Sequence, residues 1–268
     1  MRRCFDRDIL ADLPTVIAGH RVLPPPPQRV VAVFEHISRA AGQPLEPGIS
    51  VLDFGAGAGR HVAEFRKAGY DAWGADQAFM SHEEGSVEID FLRRVEPPDF
   101  ALPFAASEFD FVYSTSVMEH VVDPGRALAE IARVLRPGRL SVHIFPSRWR
   151  PIEPHSYVPF GGRFQSFVVM RLWASLGIRN GFQRGLAATD TALQNVQYAK
   201  TGINYPTAVE WRLLAEPLFS SVAWAERDFI RATKGLSSVS RLVAPLLRVP
   251  GVERGYRGLH TRVLVLRR

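Results

Sequence analysis

The chain has 268 residues, with 33 Lys+Arg against 27 Asp+Glu, a formal net charge of +6 and 46% hydrophobic residues. That composition excludes a disordered polymer, a fibrous repeat and a chain too small to bury a core. One cysteine, Cys4, excludes a disulfide framework and a cysteine-built zinc site.

The N-terminal stretch mixes Arg2, Arg3 and Arg7 with Asp6, Asp8 and Asp12, so a secretory leader is not expected. No window reaches the roughly 18 apolar residues of a membrane-spanning helix, and the expected location is cytoplasmic. Pro24 to Pro27 reads as a stiff extended connector. Beyond it, Val30, Val31, Val33, Phe34 and Ile37 recur at helical spacing up to Gly42. Ile49 to Phe54 is a buried-strand pattern that runs directly into Gly55-Ala56-Gly57-Ala58-Gly59. A helix is expected over 60–68 and a second strand over Tyr70 to Ala75, terminated by Asp76. This strand, glycine loop, helix, strand order is a βαβ unit and predicts a parallel sheet.

The alternation continues. Phe109 to Ser114 reads as a strand, and Asp123-Pro124 as the N-cap and first residue of a helix that Pro137-Gly138 ends. Leu140 to Phe145 is the next strand, 207–219 a further helix, and Val222 to Arg227 and Thr261 to Leu266 the closing strands. Between them, Pro146 to Tyr205 is rich in aromatics and interrupts the pattern, as a lid or binding region does. The expected organisation is an arm and helix over 1–45, a core over 46–145 and 206–268, and an inserted cap over 146–205.

Glycines at a strand's end let a ligand approach the backbone, and the helix that follows offers free N–H groups. The spacing is not that of a nicotinamide dinucleotide site, because Arg60 stands where the last small residue belongs, and no Walker lysine follows. Asp53 precedes the loop and suits a ligand's ammonium group. Asp76, 23 residues later, is placed for the two hydroxyls of a ribose.

Val51 to Arg60 resembles the first motif of class I S-adenosylmethionine-dependent methyltransferases. Ala101 to Phe104, Glu108 to Val112, Val117 to Val121 and Glu130 to Gly138 are similar to the segments that follow it in that family. The likeness covers about residues 49–145, is to the branch acting mainly on small molecules, and extends to bacterial members through Ile144 to Phe160. It implies an α/β, Rossmann-like, doubly wound sheet of seven strands, mostly parallel with the last antiparallel, carrying a cap. It also implies S-adenosyl-L-methionine as cofactor. Asp53, Gly55, Gly57 and Gly59 would then hold the methionine part, Asp76 the ribose, and Gln77 would lie beside the adenosine. Asp99 would face the adenine amino group with Phe100 on the ring, although Asp90-Phe91 offers the same pair nine residues earlier. Ser114 would approach the cofactor through its backbone. Arg139 departs from the family's second glycine after Pro137.

An oxygen or nitrogen acceptor needs a group to take its proton. The candidates are His120, His155 and Glu153, with Glu119 and Tyr157 beside them. His143, inside a predicted strand, reads as a core residue. Arg148, Arg150 and Arg163 offer a carboxylate or phosphate of the acceptor a partner. No metal is expected, since neither His-x-x-x-His nor a comparable ligand spacing appears. The expected activity is methyl transfer to a small-molecule acceptor such as a saccharide, a lipid-linked intermediate or a secondary metabolite. A catalytically silent cofactor-binding protein is the alternative. Nucleic acid is not an expected partner, because no Asn/Asp-Pro-Pro-Tyr motif or nucleic-acid module is present.

The basic excess sits at the C-terminus, where residues 227–268 hold ten Arg or Lys against Asp228 and Glu253. Leu242, Val243, Leu246 and Leu247, interleaved with Arg241 and Arg248, suit peripheral contact with an anionic membrane or a helix packed on the core.

Overall fold

The computed structural model describes residues 28–77, 89–96 and 101–268. Its centre is a seven-stranded sheet built from β1 (Ser50–Phe54), β2 (Asp71–Asp76), β3 (Leu92–Arg94), β4 (Phe109–Thr115), β5 (Leu135–Pro146), β6 (Ser221–Trp224) and β7 (Thr261–Arg267). The strand order is β3-β2-β1-β4-β5-β7-β6. Every pairing from β3 to β5 is parallel, and β7 alone runs antiparallel to both its neighbours. This is the Rossmann-like, doubly wound arrangement expected from the sequence. The strand order reverses at β1, so the crevice for a ligand lies beyond the carboxyl ends of β1 and β4.

Alternate strand residues feed two cores. Val51, Phe111, Tyr113, Val142 and Val265 meet α1 (Gln28–Ala40), α2 (Arg60–Lys67) and α7 (Glu226–Thr233) through Phe34, Phe65 and Ile230. Leu52, Val112, Phe145 and Leu264 meet α3 (Pro124–Val134) and α6 (Ala208–Ala215) through Leu128, Ile131 and Trp211. Period-2 alternation on the strands and period-3.6 stripes on the helices generate this packing. The capping chemistry reads out as written. Asp123 accepts from the Arg126 N–H with Pro124 in the first turn, and Thr207 and Glu210 form a reciprocal capping box on α6.

Two boundaries differ. The strand expected over Val222 to Arg227 ends at Trp224, because α7 begins at Glu226 and takes Arg227 into its first turn. Pro137-Gly138 does not separate α3 from its strand, because β5 begins at Leu135 directly after the helix. Gly138, at φ +77°, absorbs an irregularity in the β4–β5 register while its N–H stays bonded to the Arg268 carbonyl. Arg139 uses its position to pair with Asp110 at 3.1 Å.

The segment expected to form a cap, 146–205, starts on the last residue of β5 and holds α4 (Phe167–Ser175) and α5 (Ala188–Thr201), which close on a small core of Val158, Met170, Ala192 and Trp173. Of the remaining cap aromatics, Trp149, Phe160, Phe164, Phe167 and Phe182 are exposed. In the C-terminal region Leu247 is buried and Val243 packs on the core, whereas Leu242 and Leu246 face outward. Among the described residues no helix is long and apolar enough to cross a membrane.

Candidate active site

At the end of β1 the chain turns through three left-handed glycines, with φ of +88° at Gly55, +55° at Gly57 and +76° at Gly59. Only glycine adopts this run without strain. Gly55 is also the point of closest approach, since a Cβ there would stand 2.4 Å from Val117 Cγ2. Gly57 faces open space, with nothing within 4 Å of where its Cβ would project. The loop is pinned to β2: the N–H groups of Gly55 and Ala56 donate to the Ala75 carbonyl, and that of Gly57 donates to Asp76 Oδ2 at 2.8 Å. Gly59 then caps α2.

Asp53 is buried at the end of β1, beside Tyr113 on β4. Burial, and next the Asp53 carboxylate, push the Tyr113 hydroxyl well above its usual value, so it stays a neutral phenol. Asp76 is buried and Gln77, the next residue, is exposed. Ser114 is buried, with its Oγ 2.8 Å from His143 Nδ1. His143 is wholly buried, and that burial lowers its pKa to about 3. It is therefore the neutral core residue its strand position predicts. Asp99 and Phe100 lie outside the described residues. At the other register Asp90 is exposed, and Phe91 packs edge-on to Trp73 beneath the Arg66 guanidinium, 3.5 Å away.

Val117, seated on Gly55, carries the chain into a single helical turn, Met118–His120. The turn sets Glu119 and His120 beside the cap segment Glu153-Pro154-His155. The His120 and His155 rings meet edge to face with centroids 4.7 Å apart, and Tyr198 of α5 flanks both. His120 Nδ1 lies 2.6 Å from the Gly202 carbonyl, and His155 Nδ1 lies 2.7 Å from Glu153 Oε1. Glu153 Oε2 accepts from the His155 and Ser156 N–H groups and the Ser156 hydroxyl, while the Tyr205 hydroxyl donates to Oε1. Burial alone would raise Glu153, but these donors and His155 outweigh it and hold its pKa at about 2. Ser116 and Tyr157, at φ +57° and +61°, are non-glycine residues in the left-handed region on the two segments that meet here. Strain of this kind, of order 1–3 kcal/mol each, collects at functional sites.

Arg150 completes the site. It is only 8% exposed, and its guanidinium donates no hydrogen bond and makes no ion pair among the described residues. Burial lowers its pKa, while Tyr256, Tyr205, Glu153 and Glu119 act on its charge in the opposite sense.

The structure thus brings His120, His155 and Glu153 together with Glu119, and sets the glycine loop against Asp76. Sequence spacing showed no metal motif. Even so, ligating atoms of Glu119, His120 and His155 all lie within 4.8 Å of one another, because the fold joins two distant segments. Ser156, Tyr198 and the Gly202 carbonyl carried no sequence signal, since each acts through a contact made only in the folded cap.

A family model described as a methyltransferase domain matches residues 28–216. The chain belongs to the methyltransferase-domain family. An uncharacterized methyltransferase of Mycobacterium sp. (strain JLS) is 34% identical over 111 residues, 41% of this chain and 44% of that protein. The ubiquinone biosynthesis O-methyltransferase of Sinorhizobium medicae is 32% identical over 151 residues, 47% of this chain and 59% of that one. The family member described here therefore spans about half the length of these curated relatives. Among solved structures it is similar to the geranyl diphosphate C-methyltransferase of Streptomyces coelicolor A3(2), at 17% identity and a TM-score of 0.47 over 88% of this chain and 77% of that one.

Proposed function

We propose that this methyltransferase-domain protein transfers a methyl group from S-adenosyl-L-methionine to an oxygen or nitrogen of a small-molecule acceptor. The observation that carries the reading is the glycine loop fastened to Asp76 at the carboxyl end of parallel strands. Left-handed glycines with open space above Gly57, and a carboxylate at the next strand tip, suit a zwitterionic ligand bearing a ribose. In this reading Asp53 and the glycine loop hold the methionine part, Asp76 the ribose hydroxyls and Gln77 the adenosine edge. Asp99 and Phe100 contact the adenine, and the Ser114 backbone faces the cofactor. Bound there, the cofactor supplies a methyl group already activated on a sulfonium.

The chain's own task is then to orient the acceptor, exclude water and deal with its proton. The cap covers the acceptor, and His120 and His155, with Glu153 orienting His155, act on its nucleophilic atom. Arg150, buried and unpaired among the described residues, favours an acceptor with a carboxylate or phosphate, because an anion there offsets the cost of desolvating the guanidinium. Similarity to a ubiquinone biosynthesis O-methyltransferase supports an oxygen nucleophile.

Calorimetry with S-adenosylmethionine and S-adenosylhomocysteine tests the cofactor, and turnover on hydroxylated aromatic acids and phosphorylated alcohols tests the acceptor. Binding of both cofactor forms is expected. Failure to bind either overturns the proposal.

A further inference from the structure

We propose that Glu119, His120 and His155 form a site for one divalent transition-metal cation of the zinc class, placed to hold the acceptor's nucleophilic oxygen. The cation site stands on its own geometry; its use on an acceptor rests on the transferase reading above.

The donor set comes first. Two imidazoles and one carboxylate are the composition of open zinc sites, in which three protein ligands leave a fourth position for an exogenous oxygen. A ligating atom from each residue lies within 4.8 Å of the other two, and Glu119 Oε1 is 3.8 Å from His120 Nε2. Ligands at about 2.0–2.2 Å from a tetrahedral ion are about 3.5 Å apart, so side-chain rotations of about 1 Å close the site. Imidazole donors favour zinc, iron, nickel or copper over magnesium, which prefers an all-oxygen shell.

The tautomers are set in advance. A carbonyl and a carboxylate only accept, so the Gly202 carbonyl and Glu153 require a hydrogen on Nδ1 of His120 and of His155. In the neutral form of each ring, Nε2 then carries the lone pair that a metal would take. Glu153 is itself fixed by Ser156 and Tyr205, which is the outer-shell support that ligating histidines carry. Glu119 is buried while His120 and His155 are partly exposed, so water would reach the ion from the histidine side. The Arg150 charge acts on both Glu119 and Glu153, which lowers affinity for a dication and favours an anionic fourth ligand.

The position suits methyl transfer. Val117 seats this turn directly on Gly55, so the three ligands and the glycine loop share one end of the sheet. An acceptor hydroxyl held by the cation would be made more acidic and would give its proton to water on the histidine side. Its oxygen would bond to the methyl carbon as the carbon–sulfur bond broke, and that electron pair would remain on sulfur.

The test uses the full chain, stripped with a chelator and titrated with zinc chloride by calorimetry and with cobalt chloride by visible absorption. One saturable cation per chain is expected, with a tetrahedral cobalt spectrum. Binding should weaken more than tenfold in His155→Gln and His120→Asn, and by about 10–100-fold in Glu153→Gln, which touches no metal. Thermal melts identify any variant that fails to fold, and the remaining two then carry the comparison. Absence of saturable binding, or unchanged affinity in the folded variants, overturns the site. S-adenosylhomocysteine titrated into the same samples separates the two claims: cation binding without it sinks the transferase reading only. Turnover that survives chelation yet is lost in His155→Gln assigns His155 as a direct base and overturns the metal's role.

Discussion

Gly57 donates its backbone N–H to the Asp76 carboxylate at 2.8 Å, tying the middle of the glycine loop to the tip of the neighbouring strand. One acid therefore shapes the loop and presents a charge at the ligand crevice. Asp76→Ala removes both roles, and Asp76→Asn keeps an acceptor oxygen but removes the charge. The alanine variant should lose about 1–3 kcal/mol in chemical denaturation and the asparagine variant less. Both should bind S-adenosylhomocysteine at least about tenfold more weakly, equivalent to about 1.4 kcal/mol. Unchanged affinity in calorimetry would remove Asp76 from the cofactor site.

Gly55→Ala places a methyl group 2.4 Å from Val117 Cγ2 at a φ of +88°. Steric overlap and backbone strain together should cost about 2–4 kcal/mol in unfolding free energy. Gly55→Ala combined with Val117→Ala relieves the overlap and leaves the strain, so it should recover part of the loss. Equal melting temperatures for the single variant and the parent would contradict this packing.

Asp110 is one of the carboxylates that make the fold sensitive to acid. Burial alone would raise its pKa, but hydrogen bonds from Arg136 and Ser50 outweigh burial and hold it below the usual carboxylate value. Arg139 adds a contact at 3.1 Å. A depressed folded pKa means the stabilisation is complete above the unfolded value and is lost as pH falls through the folded one. Asp110→Asn should therefore lose about 2 kcal/mol at neutral pH and almost nothing once both forms are protonated. Urea midpoints measured from pH 7 down into the carboxylate range should show the two curves converging.

Arg150→Met separates stability from activity. It replaces a buried guanidinium, unpaired among the described residues, with an apolar chain of similar length, so the unfolding free energy should hold or rise, by about 1 kcal/mol at most. Turnover on anionic acceptors should fall at least about tenfold, by loss of a charge-assisted contact worth about 1.5–3 kcal/mol. A variant that is destabilised and still fully active would make Arg150 a structural cation.

Much of this protein is legible in its sequence because the deciding signals are local. The valines and phenylalanine of α1, the Asp123-Pro124 cap and the alternating run of β4 each fix an element through contacts within a few residues. The glycine loop and Asp76 belong to the same class, since positive φ and the βαβ order require those residue types in that order. Pro137-Gly138 misled because a left-handed glycine ends a helix as readily as it absorbs a strand irregularity, and pairing with Arg268 decided between them. The cluster around His120 and His155 was legible only as separate candidates. Its form depends on the cap folding back so that Glu153, Gly202 and Tyr205 meet the turn after β4. Such contacts are set by packing between distant segments. The sequence alone determined six of the seven strands and the glycine loop; tertiary structure decided the place of β3, which histidines meet, which nitrogens carry their hydrogens, and that Arg150 is buried without a partner among the described residues.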